Sequence, residues 1–256
     1  IGDSVILYTQ DGNVLRQDEV LSYPCVGEDY PGLRYFRSVR TTGLNDSTVV
    51  ALFSAKLLNT GTSYMKMWMP ASSDVSYFTA LAPGAKTASS PYQSKPSLVV
   101  TMRKEKPAVE EPFVAVYEPI SDKLSASLIE SVDRIKLDPR GKEGCAIKVK
   151  TKEGDTFTLV NILKGGPVIL NNQKCCADFA IFAKRKGKNS VYVGNGFFVE
   201  NKEFKVESEN RGSFYMEYDQ TSLLVRSNCP IKIQAKNGML KKPLYLTGGE
   251  RVFKMK

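Results

Sequence analysis

Two segments place cationic side chains at spacings that could bind an acidic ligand. The first is Arg34-Tyr35-Phe36-Arg37-Ser38-Val39-Arg40. On a strand, alternation places Arg34 and Arg40 on one face and Tyr35 and Arg37 on the other. Guanidinium groups bind carboxylates and sulfates through paired hydrogen bonds, so Arg34, Tyr35, Arg37 and Arg40 are candidate substrate-binding residues. The alternative interpretation is an edge strand kept soluble by its arginines.

The second segment carries Lys148, Lys150 and Lys152 at every second position, with apolar residues between them. Ammonium groups at this spacing could follow an anionic polymer, so the three lysines are also candidate substrate-binding residues. A half-buried strand with a solvated lysine face produces the same pattern, and both interpretations stay open. The run Lys184–Lys188 is typical of a hairpin tip, and we expect no nucleic acid among the partners.

The chemistry available to this chain is restricted by its composition. It contains no histidine, which excludes Ser-His-Asp and Cys-His nucleophile systems built from its own residues. Its five cysteines form no C-x-x-C pair, and the adjacent Cys175 and Cys176 are interpreted as packing residues. Neither a metal site nor a cofactor is predicted. Proton transfer would require Asp, Glu, Tyr, Lys or Cys with a shifted pKa.

The 256 residues are 42% hydrophobic and 25% charged, which indicates a globular protein with a sizeable core. No apolar run approaches the roughly 20 residues of a membrane span, so no membrane partner is expected. The net charge of +9 arises entirely after residue 100, because residues 1–100 contain equal numbers of acidic and basic side chains. A basic field of this kind favours acidic partners, including acidic polysaccharides.

Almost every apolar run alternates with a period of two, which predicts an all-β protein. Turn sequences such as Glu153-Gly154-Asp155 and Lys186-Gly187-Lys188 lie between these runs, as expected for hairpins. Only Ala126–Arg134 could form a short helix, and a strand is equally compatible there. Many short strands predict an antiparallel multi-stranded β-sandwich.

The alternation also suggests two domains. A Gly194-Asn195-Gly196 turn precedes a new set of short strands, so we place a junction between residues 203 and 204. The predicted organisation is a large β-sandwich domain at 1–203 and a small C-terminal β-domain at 204–256. The small domain has little core of its own and is expected to pack against the large one.

Four segments are notable for their order and spacing: Met67-Trp68-Met69-Pro70, Tyr77–Pro83, Pro96–Val100 and Pro112-Phe113-Val114-Ala115-Val116-Tyr117-Glu118-Pro119. In that order and spacing they resemble the β-sheet region of heparinase II/III-like polysaccharide lyases, and the similarity covers most of the chain. The resemblance implies a supersandwich-like sheet region that follows an N-terminal α/α toroid in the same polypeptide. It also implies cleavage of uronate-containing polysaccharide by β-elimination, in a periplasmic or secreted enzyme.

In this family the residues for proton transfer lie mainly in the toroid and in a histidine-rich strand before the Gly2-Asp3-Ser4 segment. None of them matches a position here, so we expect this chain alone to be inactive and to support the catalytic toroid. Two alternatives remain: an independent module that binds anionic glycans, and a structural or dimerisation domain without a ligand, for which a homodimer is the expected form.

Overall fold

A computed structural model describes residues 4–20, 35–57, 61–82, 96–104, 112–121, 124–138, 144–163, 166–170, 172–236 and 238–255. Nearly all regular structure in these ranges is antiparallel β-strand, which confirms the predicted all-β class and β-sandwich architecture. The described residues contain no helix long and apolar enough to cross a membrane. The chain divides into two compact units, Ile1–Ala108 with Phe113–Ser127 and Val109–Pro112 with Leu128–Lys256.

Unit 1 contains two four-stranded sheets. The first sheet has the order β1-β4-β5-β8, formed by β1 (Ser4–Thr9), β4 (Val49–Leu57), β5 (Gly61–Met69) and β8 (Val116–Ile120). The second has the order β2-β3-β6-β7, formed by β2 (Asp18–Glu19), β3 (Arg37–Thr41), β6 (Val75–Ala82) and β7 (Ser97–Lys104). Both contribute to one buried cluster, so they pack face to face. The cluster contains Leu7, Val49, Ala51, Met69, Val75 and Tyr77.

Unit 2 is built from a single eleven-stranded antiparallel sheet. Its strands are β9 (Ile129–Ile135), β10 (Gly144–Thr151), β11 (Thr156–Ile162), β12 (Pro167–Leu170), β13 (Gln173–Arg185), β14 (Lys188–Glu200), β15 (Phe204–Tyr218), β16 (Ser222–Ser227), β17 (Ile231–Ala235), β18 (Leu244–Leu246) and β19 (Gly249–Lys254). The segment interpreted as either helix or strand, Ala126–Arg134, is mainly β9, and a single 3-10 turn, Leu124–Ala126, precedes it.

The three long strands β13, β14 and β15 pass through two layers of unit 2. Layer A contains β9, β10, β11, β16, β19 and the halves of the long strands that pair with them; layer B contains β12, β17, β18 and the other halves. Residues from both layers share one buried cluster, so the sheet folds over on itself. Register irregularities in β13 and β14 lie where it bends, as β-bulges do.

Glycine is required at the bend because the backbones approach closely. A Cβ atom on Gly196 would lie 2.6 Å from Cβ of Ala177, and one on Gly212, its partner on β15, would overlap Sγ of Cys229. The Gly194-Asn195-Gly196 segment predicted as a turn is therefore a bend inside β14. A glycine pair signals a turn and a bulge equally well in the sequence.

The junction predicted between residues 203 and 204 falls at the turn between β14 and β15, within unit 2. Residues 204–256 contribute to the same buried cluster as residues 146–199. The two compact units divide near residues 109–128 instead. The physical reason is that strands of 13 and 15 residues pair along their length across the 203/204 turn.

Candidate functional site

A polar pocket of about 310 Å³ opens at one end of unit 2, between its two layers. Layer A supplies side chains of β10, β11, β13, β14 and β15, and layer B supplies the turns that precede β13 and follow β14. The residues that matter most for its chemistry are Lys148, Lys184, Lys202, Asn172, Gln173, Asn189, Asn201, Glu203 and Tyr218. We call this set the lysine pocket.

The strand register explains why two lysines meet at this end. Lys148 lies opposite Thr158 on β11, which lies opposite Phe182 on β13. Lys184 follows Phe182 by two residues and therefore points to the same face. Phe182 is buried whereas both lysines are exposed, so the ammonium groups lie where the apolar core meets solvent. The third lysine, Lys202, comes from the turn after β14.

The electrostatics of the lysine pocket favour an anion. Within the described ranges, no carboxylate lies at ion-pair distance from the ammonium group of Lys148, Lys184 or Lys202. Among the residues that the structure describes, one carboxylate lines the pocket, that of Glu203. Three ammonium groups against one carboxylate leave an excess of positive charge, and the neighbouring amide side chains add hydrogen-bond donors.

A hydrogen-bonded wall closes one side of the pocket. The amide nitrogen of Asn201 donates to the hydroxyl oxygen of Tyr218 at 2.9 Å, and this hydroxyl donates to Glu203 at 3.4 Å. The amide oxygen of Asn201 accepts the backbone N–H groups of Glu203 and Phe204, at 2.9 and 2.7 Å. The ring of Tyr218 packs edge-to-face on Phe204 with 4.7 Å between centroids. These contacts fix the turn that carries Lys202.

Tyr218 is suited to donate a hydrogen bond and not to act as a base. Burial, followed by the charge of Glu203, raises the pKa of Tyr218 well above its ordinary value near 10. The phenol therefore stays protonated at neutral pH. In this arrangement the phenol of Tyr218 can orient a ligand as a hydrogen-bond donor.

The second cationic segment is only partly placed in this pocket. Lys148 lines it, but Lys150 pairs with Glu130 of the neighbouring strand β9 at 3.0 Å. Lys152 lies in the turn after β10, where its backbone N–H donates to the carbonyl of Leu128 at 2.9 Å.

Sequence reasoning assigned Lys184 to a hairpin tip. The signal that could have found it is the alternation of Ala180, Phe182 and Lys184 along one face of β13.

The arginine segment lies in unit 1, and Arg34 lies outside the described residues. Tyr35, Arg37 and Arg40 are all exposed. The prediction that Arg37 and Arg40 point to opposite faces is wrong. Arg37 lies opposite Leu81 and Arg40 opposite Thr79, and these two positions share one face of β6. The reason is a register shift at Ser38, which has a φ of 50° and interrupts the alternation.

Two of the segments singled out in the sequence, residues 67–70 and 112–119, meet in the core of unit 1. Trp68 on β5 donates its indole N–H to the carboxylate of Glu118 on β8 at 3.1 Å, and Ser127 donates to the same oxygen at 3.1 Å. Lys66 donates to the hydroxyl of Ser127 at 2.8 Å. Trp68 and Glu118 are both buried. These segments therefore hold the first sheet together.

Comparison with known proteins supports a relationship to a polysaccharide lyase. No family model matches this chain. It is 36% identical over 131 residues to an endo-acting ulvan lyase of Formosa agariphila. The matched segment covers 50% of this chain and 16% of the relative, so the chain corresponds to a small part of the length of that protein. Half of the chain is thus similar in sequence to part of a polysaccharide lyase.

Proposed function

We propose that this chain is the non-catalytic β-sandwich portion of a polysaccharide lyase that acts on an acidic, uronate-containing polysaccharide. Its lysine pocket holds acidic groups of that polymer. The observation that carries the proposal is the convergence of Lys148, Lys184 and Lys202, without carboxylate partners among the described residues, in a chain related to an ulvan lyase. Ammonium groups beside amides suit both carboxylate and sulfate.

The chemistry of β-elimination explains why we assign ligand binding to this chain and proton transfer to another domain. This reaction needs a base that removes a proton beside the uronate carboxylate, a cation that stabilises the resulting negative charge, and an acid for the leaving oxygen. The lysine pocket supplies positive charge, while its phenol remains protonated. We assign the proton-transfer groups to an N-terminal α/α toroid of the kind found in heparinase II/III-like lyases. A secreted or periplasmic location belongs to the same proposal.

The size of the lysine pocket limits what it can hold. A volume of about 310 Å³ lies near the lower end of the range for small-molecule sites, which is roughly 300–1,000 Å³. We therefore assign to it one charged sugar unit and its linkage, with the rest of the polymer lying on the surface. The arginines Arg37 and Arg40 of unit 1 stay as separate predicted contacts, with Tyr35 beside them in the sequence.

Binding of ulvan to the 256-residue chain tests this proposal. The double variant Lys148→Gln/Lys184→Gln should weaken binding about tenfold or more at low ionic strength, because two ammonium contacts with the polymer are lost. It should also reduce the dependence of Kd on salt. The matched control is Lys150→Gln, on the same strand but paired with Glu130 at 3.0 Å. We expect its affinity to stay within about twofold of wild type.

Wild-type affinity in the double variant would contradict the role of the lysine pocket. Release of unsaturated uronate, detected by its ultraviolet absorbance after incubation of this chain alone with ulvan, would contradict the non-catalytic assignment.

A second candidate function is an independent glycan-binding module. It is favoured by the fact that every residue lining the lysine pocket comes from unit 2 itself. A module should bind ulvan as tightly alone as when joined to a catalytic domain, whereas a supporting portion should bind more weakly alone. Absence of binding to any acidic glycan would favour the structural or dimerisation alternative.

A further inference from the structure

The outward face of layer A carries a second, open groove of about 510 Å³. Strand pairing aligns Tyr192 on β14 with Tyr215 on β15, Tyr215 with Arg226 on β16, and Arg226 with Glu250 on β19. Side chains alternate along a strand, so Tyr192 points away from the face that carries its buried neighbour Val191 and the lysine pocket. The groove and the lysine pocket therefore lie on opposite faces of one layer.

The ring of Tyr192 lies along the surface of the sheet. A Cβ atom built on Gly194, two residues further along the same face, would lie 3.4 Å from Cε1 and 3.5 Å from the hydroxyl oxygen of Tyr192. The ring thus covers the space that glycine leaves open, a known way of packing an aromatic ring over a strand glycine. Phe179 supports it from the side, with 6.2 Å between ring centroids and 61° between planes. Tyr192 remains 37% exposed, so part of its side chain is open to solvent at the groove.

Polar side chains line the groove beyond Tyr215, two and three strands from Tyr192. Arg226 and Glu250 form an ion pair at 2.7 Å and supply both a donor and an acceptor without net charge. The amide oxygen of Asn228 accepts the backbone N–H of Ser213 at 2.8 Å. Its amide nitrogen makes no hydrogen bond within the described part of the chain, so it can donate to a ligand.

We propose that this groove is a second carbohydrate site, which stacks one pyranose ring on Tyr192. The C–H groups on one face of a pyranose carry partial positive charge and suit the negative face of an aromatic ring. The hydroxyl groups of the sugar units that follow along the groove suit the donors and acceptors of Arg226, Glu250 and Asn228. Because the ion pair is neutral, this site selects a sugar ring and not an anion. It is independent of the lysine pocket and adds a function that the proposed role does not require.

The test uses the 256-residue chain and a neutral probe, namely ulvan oligosaccharides whose sulfates have been removed and whose carboxylates have been reduced. Tyr192→Ala should weaken binding of this probe about tenfold by calorimetry, whereas Tyr192→Phe should bind like wild type. The matched control is Tyr245→Ala, since Tyr245 is 69% exposed on β18, in the other layer. Binding should persist at high salt, because it does not depend on net charge.

A second measurement needs no variant. On the wild-type chain, the neutral probe should protect Tyr192 from nitration, mapped by mass spectrometry, and leave Tyr245 unprotected. Equal nitration of Tyr192 with and without probe would overturn the proposal. So would a Tyr192→Ala variant that converts a dimer into a monomer with unchanged sugar affinity, since the groove would then bind a second copy of the chain. If the Lys148→Gln/Lys184→Gln variant no longer binds acidic ulvan but still binds the neutral probe, the groove and the lysine pocket are separate sites.

Discussion

Replacing Tyr218 by Phe tests how the wall of the lysine pocket is held together. The variant keeps the ring that packs on Phe204 at 4.7 Å between centroids but loses the hydroxyl. The amide nitrogen of Asn201, which donates to that hydroxyl at 2.9 Å, then loses its partner in a residue that is only 8% exposed. Leaving a buried donor without an acceptor costs about 1–3 kcal/mol, so we expect the free energy of unfolding of unit 2 to fall by about that amount at pH 7.5.

The same variant should change the dependence of stability on pH. The pKa of Tyr218 is raised in the folded state, so above pH 10 the unfolded chain releases the phenolic proton while the folded chain keeps it. The folded state then binds more protons, and stability falls as pH rises, with a slope of about 1.4 kcal/mol per pH unit for this one group. The Phe variant lacks this contribution, so its stability should decline less steeply above pH 10.

Urea unfolding followed by circular dichroism between pH 7.5 and 11 measures both effects. Tyr245→Phe is the control for the stability at pH 7.5, because Tyr245 is 69% exposed and the loss of its hydroxyl should leave that stability unchanged. The reasoning is refuted if Tyr218→Phe is as stable as wild type at pH 7.5, or if its stability falls with pH above 10 as steeply as that of wild type.

Two further substitutions test the bend and the buried contact of unit 1. Gly196→Ala should lower the free energy of unfolding by about 1–3 kcal/mol, because its Cβ would lie 2.6 Å from that of Ala177. Gly43→Ala, with no atom within 4 Å of the new Cβ, should cost little, and equal effects would contradict the argument. Glu118→Ala should destabilise unit 1 by about 1–3 kcal/mol, because the indole N–H of Trp68 loses its 3.1 Å acceptor. Trp68 is the only tryptophan in the chain, so its fluorescence follows this unfolding directly, and an unchanged urea midpoint would count against the contact.

The fold class could be predicted because strand periodicity is a local signal. Alternation in segments such as Cys145–Lys150 and Thr156–Leu163 marks strands whatever their partners, and the structure has β10 and β11 there. A bend inside a strand cannot be recognised from a local residue pattern, because it depends on what the strand packs against. The Gly194-Asn195-Gly196 segment has the composition of a turn, and only its packing against Ala177 shows that β14 continues through it.

The candidate site could be predicted only in part for the same reason. Lys148 is recognised by its spacing, but its partners Lys184 and Lys202 lie 36 and 54 residues away in the sequence, and strand register brings them together. Lys150 shares that spacing, yet it is neutralised by Glu130 across the β9–β10 pair. The positive φ at Ser38 places Arg37 and Arg40 on the same face of β3, and no residue pattern in the sequence predicts that φ.

The continuity of β13, β14 and β15 through both layers has a mechanical consequence. Because these three strands belong to both layers, local unfolding of one layer should disturb the other. Amide protons on the two sides of the bend should therefore exchange through a shared opening event. A glycan bound in the lysine pocket should then slow amide hydrogen exchange in β17 and β18, at the far side of layer B, although it contacts neither strand.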